Sequence, residues 1–158
     1  MAQHIDSIDS IDSIKWESPV PFDPIHFYGF LYLIHNTSKD KFYIGRKTFK
    51  FKRNKKTIES DWRTYTGSNK ELNTDIKAGD DYTKRIITFA SAKGELNYYE
   101  TFAILYSQAL PSEHFYNNWV SCKITATHVQ KLKDIFPFKL QQIMNELQIV
   151  NFQINQQK

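Results

Sequence analysis

The sequence predicts a small α/β (α+β) domain in which a three-stranded, mainly antiparallel sheet is flanked by helices and followed by a helical C-terminal tail. Three observations carry this. Residues 28–34 (Tyr-Gly-Phe-Leu-Tyr-Leu-Ile) and 41–45 (Lys-Phe-Tyr-Ile-Gly) are aromatic and β-preferring, and the polar stretch 36–40 between them reads as the turn of a hairpin. Residues 83–89 (Thr-Lys-Arg-Ile-Ile-Thr-Phe) read as a third strand. Residues 95–109 then place Leu96, Tyr99, Ala103 and Tyr106 on one helical face, with Pro111 just beyond. A chain of 158 residues holds one such domain plus tails, and its 41% hydrophobic and 24% charged residues are those of a soluble globular protein. No apolar run approaches the ~18 residues of a membrane span, so a membrane is not expected among its partners.

Taken in order, residues 1–25 read as a flexible acidic arm. Ile-Asp-Ser is repeated from residue 5 and closed by Ile14, and an isoleucine every third residue drifts by about 60° per step around a helix, a poor core face. Pro19, Pro21 and Pro24 then interrupt any regular element. The domain proper is expected over 26–124. After the hairpin, Ser68-Asn69-Lys70-Glu71 has the form of a capping box that starts a helix bearing Leu72 and Ile76, with Gly79 to end it. The extension 125–158 holds a second box, Thr127-His128-Val129-Gln130, a break at Pro137, and Leu140, Ile143, Met144 and Leu147 at helical spacing. Its apolar face is expected either to pack on the domain or to pair two copies as a homodimer.

Seven of the 21 Lys and Arg fall between Arg46 and Lys56 with no acid among them, which points to a polyanion. Lys47, Lys50, Lys52, Arg53, Lys55 and Lys56 are the expected phosphate contacts, in a basic, aromatic loop. Other chemistries lack their residues. The five histidines are scattered without zinc-site spacing, the lone Cys122 has no evident base, and no phosphate-cradling GxxxxGK run occurs. One cysteine and no basic-then-apolar leader at the N-terminus fit a reducing, cytoplasmic setting.

The chemical constellation centres on Phe30-Leu31-Tyr32 and Tyr43-Ile44-Gly45. Two tyrosines eleven apart on adjacent antiparallel strands can share a face, which sets two phenols side by side. With Trp62-Arg63-Thr64-Tyr65-Thr66-Gly67-Ser68-Asn69, a helix bearing Glu100, and Tyr116-Asn117-Asn118 following in order, residues 28–120 resemble the GIY-YIG endonucleases, most closely the segregation-type, homing-like enzymes of tailed bacteriophages. The first triplet departs from the family pattern, Phe-Leu-Tyr standing where Gly-Ile-Tyr is usual.

The resemblance implies a metal-dependent DNA endonuclease that hydrolyses phosphodiester bonds with Mg²⁺ or Mn²⁺, in the cytoplasm of the host cell. Tyr32, Tyr43, Arg46, Arg63, Tyr65, Glu100 and Asn117 are the implied catalytic residues, with Glu100 as metal ligand. Either Arg53 or Arg63 fills the second arginine position, and either tyrosine could be the base, Tyr32 being the first choice. The charge logic is consistent: a guanidinium grips two phosphate oxygens as negative charge builds, and Mg²⁺ needs only one or two protein carboxylates. On a 3.6-residue wheel Glu100 lies roughly 80° from the centre of the apolar face of its helix, where a groove-lining ligand would sit. The alternative is a nucleic-acid-binding module of the same fold that does not cut.

Overall fold

The structure, a computed structural model, describes residues 14–156. A short strand β1 (Trp16–Glu17) precedes the hairpin of β2 (Gly29–Asn36) and β3 (Lys41–Thr48). A second hairpin, β4 (Lys50–Arg53) and β5 (Lys56–Glu59), leads to α1 (Lys70–Lys77), β6 (Tyr82–Ala90) and α2 (Lys93–Tyr106). The one-turn α3 (Ala126–Val129) and the long α4 (Phe136–Asn155) complete the chain. The class is the expected mixed, mainly antiparallel one. The main sheet, however, has four strands in the order β1-β6-β2-β3, not three.

β2 is the central strand and is buried on both faces, which explains its near-continuous apolar run. On one face Leu31, Leu33, Phe42 and Ile44 pack against Leu96, Tyr99 and Ala103 of α2 and Ile143, Leu147 and Val150 of α4. The tail therefore packs on the domain. On the other face Phe30, Tyr32 and Ile34 form an aromatic core with Phe49, Trp62, Leu72 and Tyr116. The chain from His114 to Asn117 runs along the free edge of β3: Phe42 N donates to His114 O at 2.8 Å and Tyr116 N to Phe42 O at 2.7 Å.

Several local expectations are corrected. The arm does not extend to residue 25: Trp16 and Glu17 pair in parallel with Lys84 and Arg85, and Phe22 lies 4.7 Å from the ring of Phe89. The proline run ends β1 without detaching the chain, because Trp16 Nε1 donates to Trp62 O at 2.6 Å. The Ile-Asp-Ser repeat up to residue 13 lies outside the described residues. The basic loop is a hairpin on which Asn54 and Lys55 both take positive φ (50° and 62°), as a tight two-residue turn requires. Asn69 caps α1, accepting from Leu72 N at 2.9 Å, while Ser68, the expected cap, is engaged by Tyr43. Thr125, not Thr127, caps α3, its N–H donating to His128 Nδ1 at 3.2 Å. α2 starts two residues early and stops at Tyr106, because Gln108 turns the chain with φ 54°. Pro137 stands in the first turn of α4, where its missing N–H breaks nothing.

Lys84 is 0% exposed, and no carboxylate among the described residues pairs with it. Its Nζ donates to Arg63 O at 2.9 Å and Tyr65 O at 3.2 Å and lies 4.6 Å over the Trp16 ring, so it ties β1 and the 62–65 loop to the sheet. Burial pushes its pKa down from 10.5 to about 8. Between those values the unfolded chain binds the extra proton, so stability rises with pH in this window. We expect wild type to gain on Lys84→Met by on the order of 2 to 3 kcal/mol between pH 8 and 10, read from urea unfolding of both proteins. Parallel pH profiles would show that Lys84 is not held down by burial.

Candidate active site

The register of the first hairpin sets the phenols. Tyr32 pairs with Gly45 and Ile34 with Tyr43, so the tyrosines are diagonal neighbours on one face with ring centroids 6.2 Å apart. Tyr32 is 1% exposed and lies across Gly45; a Cβ on that glycine would meet its hydroxyl oxygen at 2.3 Å. Tyr43 stands one step outward, half-buried, its hydroxyl 3.0 Å from Ser68 Oγ. Gly67, with φ 89°, lets the 66–69 turn pass close to the Tyr43 ring.

Beside Tyr43 opens a cleft of about 440 Å³, lined by Arg46, Ser68, Asn69, Glu100, Ile104 and the strip from Asn117 to Ser121. Arg46 projects from β3 and Glu100 from α2, and Arg46 Nε donates to Glu100 Oε2 at 2.6 Å. The guanidinium's terminal nitrogens and the other carboxylate oxygen have no hydrogen-bond partner among the described residues. Asn117 is buried and clamps β3 in place, accepting from Ile44 N at 2.9 Å and donating to Ile44 O at 2.8 Å. Its neighbour is fixed in turn, since the Tyr116 hydroxyl donates to Asp75 Oδ2 and Asn69 Nδ2 donates to Tyr116 O.

Burial pushes the Tyr32 phenol well above its ordinary range, and the nearby Tyr43, Tyr65 and Glu100 add to this. Burial also raises Tyr43, against a lowering contribution from its Ser68 bond. The Glu100 carboxyl is raised by burial as well, with Arg46 opposing. A negative charge held here is therefore costly unless a cation pairs with it, and at Glu100 Arg46 does so.

Of the seven expected catalytic residues, Tyr43, Arg46, Glu100 and Asn117 line one cleft. Tyr32 supports it from beneath, edge-on to Tyr65 at 6.2 Å. Tyr65 lies under Lys47, whose Nζ is 3.8 Å from the ring centroid. Arg63 points elsewhere, paired with Glu59 and stacked over Trp62. Arg53 is exposed on β4, so neither candidate for the second arginine lines the cleft. Lys47 bonds Asp61 at 2.5 Å, whereas Lys50, Lys52, Arg53, Lys55 and Lys56 are exposed on the second hairpin. Ser68, Asn69, Asn118 and Trp119 also face the cleft. Ser68, Asn69 and Asn118 stand inside the motifs that carry the resemblance, whereas only its nearness to Asn117 could have signalled Trp119.

A divalent cation would find Glu100 as the one acid among the described residues that line the cleft. No group of three His, Cys, Asp or Glu gathers anywhere among the described residues. Glu100 with its unpaired oxygen therefore fits a hard cation that keeps most of its ligands as water, as Mg²⁺ does, and does not fit zinc.

Comparison with known proteins gives one family. Residues 15–120 match the family model described as "Putative endonuclease segE, GIY-YIG domain". No curated protein and no solved structure matches the chain.

Proposed function

The chain belongs to the segE-type GIY-YIG endonuclease family, and from that premise we propose that it hydrolyses DNA phosphodiester bonds in the cleft between β3 and α2, with Mg²⁺ or Mn²⁺ held by Glu100. The observation that carries this reading is the Arg46–Glu100 pair at 2.6 Å in the cleft that Tyr43 also lines, where the described residues supply one cation and one acid. Arg46 donates to Glu100 through Nε and keeps its terminal nitrogens for phosphate oxygens, where negative charge grows in the transition state. A bound divalent cation supplies further positive charge and lowers the pKa of water. Tyr43 is the proton acceptor in this reading, because it is the phenol at the cleft wall, and buried Tyr32 holds the floor beneath it. Asn117 acts through Ile44 and is a positioning residue. The exposed lysines and Arg53 of the second hairpin would grip the backbone at a distance, which gives salt-sensitive affinity without base reading. The family's phage setting makes a homing-like role in the host cytoplasm the natural context.

The test is nicking of supercoiled plasmid with Mg²⁺ and with chelator. Cutting should need the cation, and below the phenol's raised pKa its rate should climb with pH, with a log–log slope of about one, because the reactive form is the phenolate. Tyr43→Phe should lose about 10² to 10⁴ in rate and flatten that slope, and Tyr32→Phe should lose about tenfold or less. A larger loss from Tyr32→Phe would transfer the base to Tyr32. The second reading, a binder that does not cut, draws on the same ion pair, since a carboxylate oxygen engaged by Arg46 is not free for a cation. Chelator-insensitive DNA binding with no cutting would favour it.

A further inference from the structure

Trp119 stands two residues after the Asn117 clamp and lines the same cleft as Tyr43, Arg46 and Glu100, yet it is 69% exposed. The other two tryptophans pack on the aromatic core: Trp62 is 8% exposed and Trp16 meets Phe30 edge-on and Tyr32 at a tilt. Among the described residues the Trp119 ring makes no aromatic, cation–π or hydrogen-bonding contact. The chain that leads to it is anchored, because Tyr116 and Asn117 are buried and hydrogen-bonded to α1 and β3. An open indole face on the rim of a cleft that holds an arginine is an arrangement that can stack a nucleobase while the guanidinium holds its phosphate. The amides of Asn69 and Asn118 and the hydroxyls of Ser68 and Ser121 share the rim and could meet the edge of such a base.

We propose that Trp119 is a stacking platform for the base next to the phosphate held by Arg46, and hence that the substrate is a DNA strand whose bases are available to the protein: single-stranded, branched or locally opened. A base inside an intact duplex has both faces covered by its neighbours, and Trp119 could reach it only after that stack is opened. This inference rests on the reading of the cleft as a DNA site. It adds a substrate class which the phosphate chemistry alone does not select.

The experiment uses the full chain in chelator at fixed salt, with two probes: a short oligothymidine, and a sugar–phosphate chain of the same length without bases. With wild type, the oligothymidine should quench tryptophan fluorescence and bind more tightly than the baseless chain. Trp119→Ala should abolish the quench and weaken oligothymidine binding by about tenfold or more, while binding the baseless chain as wild type does. Trp119→Phe should restore most of the lost affinity, because an aromatic face remains. Equal wild-type affinity for the two probes, or oligothymidine binding unchanged in Trp119→Ala, overturns the stacking role and leaves the nuclease reading intact. Failure of both probes to bind wild type overturns the two together.

Discussion

Glu100→Gln should abolish cleavage while leaving DNA binding as tight as in wild type, or tighter. Among the described residues that line the cleft, Glu100 is the one acid and Arg46 the one cation. Replacing the carboxylate with an amide of the same shape keeps an oxygen for Arg46 Nε, which the carboxylate accepts at 2.6 Å, and removes the charge a divalent cation would need. Loss of a group aimed at developing transition-state charge costs about 10² to 10³ in rate, and loss of the cation with it should exceed that. A polyanion approaching the cleft meets one negative charge fewer, so affinity should not fall. The opposite pattern is expected of Arg46→Ala, which removes a phosphate contact and should weaken binding and cutting together. Single-turnover cleavage at saturating enzyme, run beside an equilibrium binding titration, separates the two. Glu100→Gln that still cuts at a rate near wild type would remove Glu100 from the chemistry and require another ligand for the metal.

What was legible in the sequence was what local pattern encodes. The β2–β3 hairpin announced itself through two aromatic runs around a polar turn, and the buried face of α2 through Leu96, Tyr99 and Ala103, all 0% exposed. Glu100 at the edge of that face follows from helical geometry alone, and its place at the cleft agrees. What was not legible depends on partners distant in the chain. β1 has two residues and exists because β6 offers it an edge, 68 positions away at Trp16↔Lys84. Lys84 reads as an ordinary strand lysine and is buried because the 62–65 loop turns its carbonyls toward it. The two arginine candidates beyond Arg46 could not be separated by spacing. Arg53 was carried outward by a hairpin whose tight turn was hidden in a run of cations, and Arg63 was taken by Glu59, four residues earlier at the end of β5. The roles of the two tyrosines were likewise invisible, since which is covered depends on which lies across a glycine.

That glycine carries the largest expected structural effect. Gly45→Ala places a methyl group 2.3 Å from the Tyr32 hydroxyl oxygen and 2.5 Å from Cζ, well inside any real carbon contact. In an open strand the change would help slightly, because Gly loses more backbone freedom on folding than Ala. Here the ring cannot swing away: Tyr32 is 1% exposed, with Trp16 at 5.1 Å, Tyr43 at 6.2 Å and Tyr65 at 6.2 Å around it. Overpacking of this kind costs about 1 to 3 kcal/mol when neighbours can yield, and the ring's enclosure puts this site at the upper end. For a chain of this length that corresponds to a Tm lower by roughly 5 to 10 °C. Activity should fall further than stability does, because the ring that must move supports Tyr43 at the cleft wall. A double-mutant cycle separates the clash from any effect on the strand itself. Tyr32→Leu removes the distal atoms that the new methyl group would strike, so Gly45→Ala should cost far less in that background than in wild type, with a coupling of about 1 kcal/mol or more. Additive costs would place the damage in the strand backbone, and a fully stable Gly45→Ala protein would mean that Tyr32 has somewhere else to go.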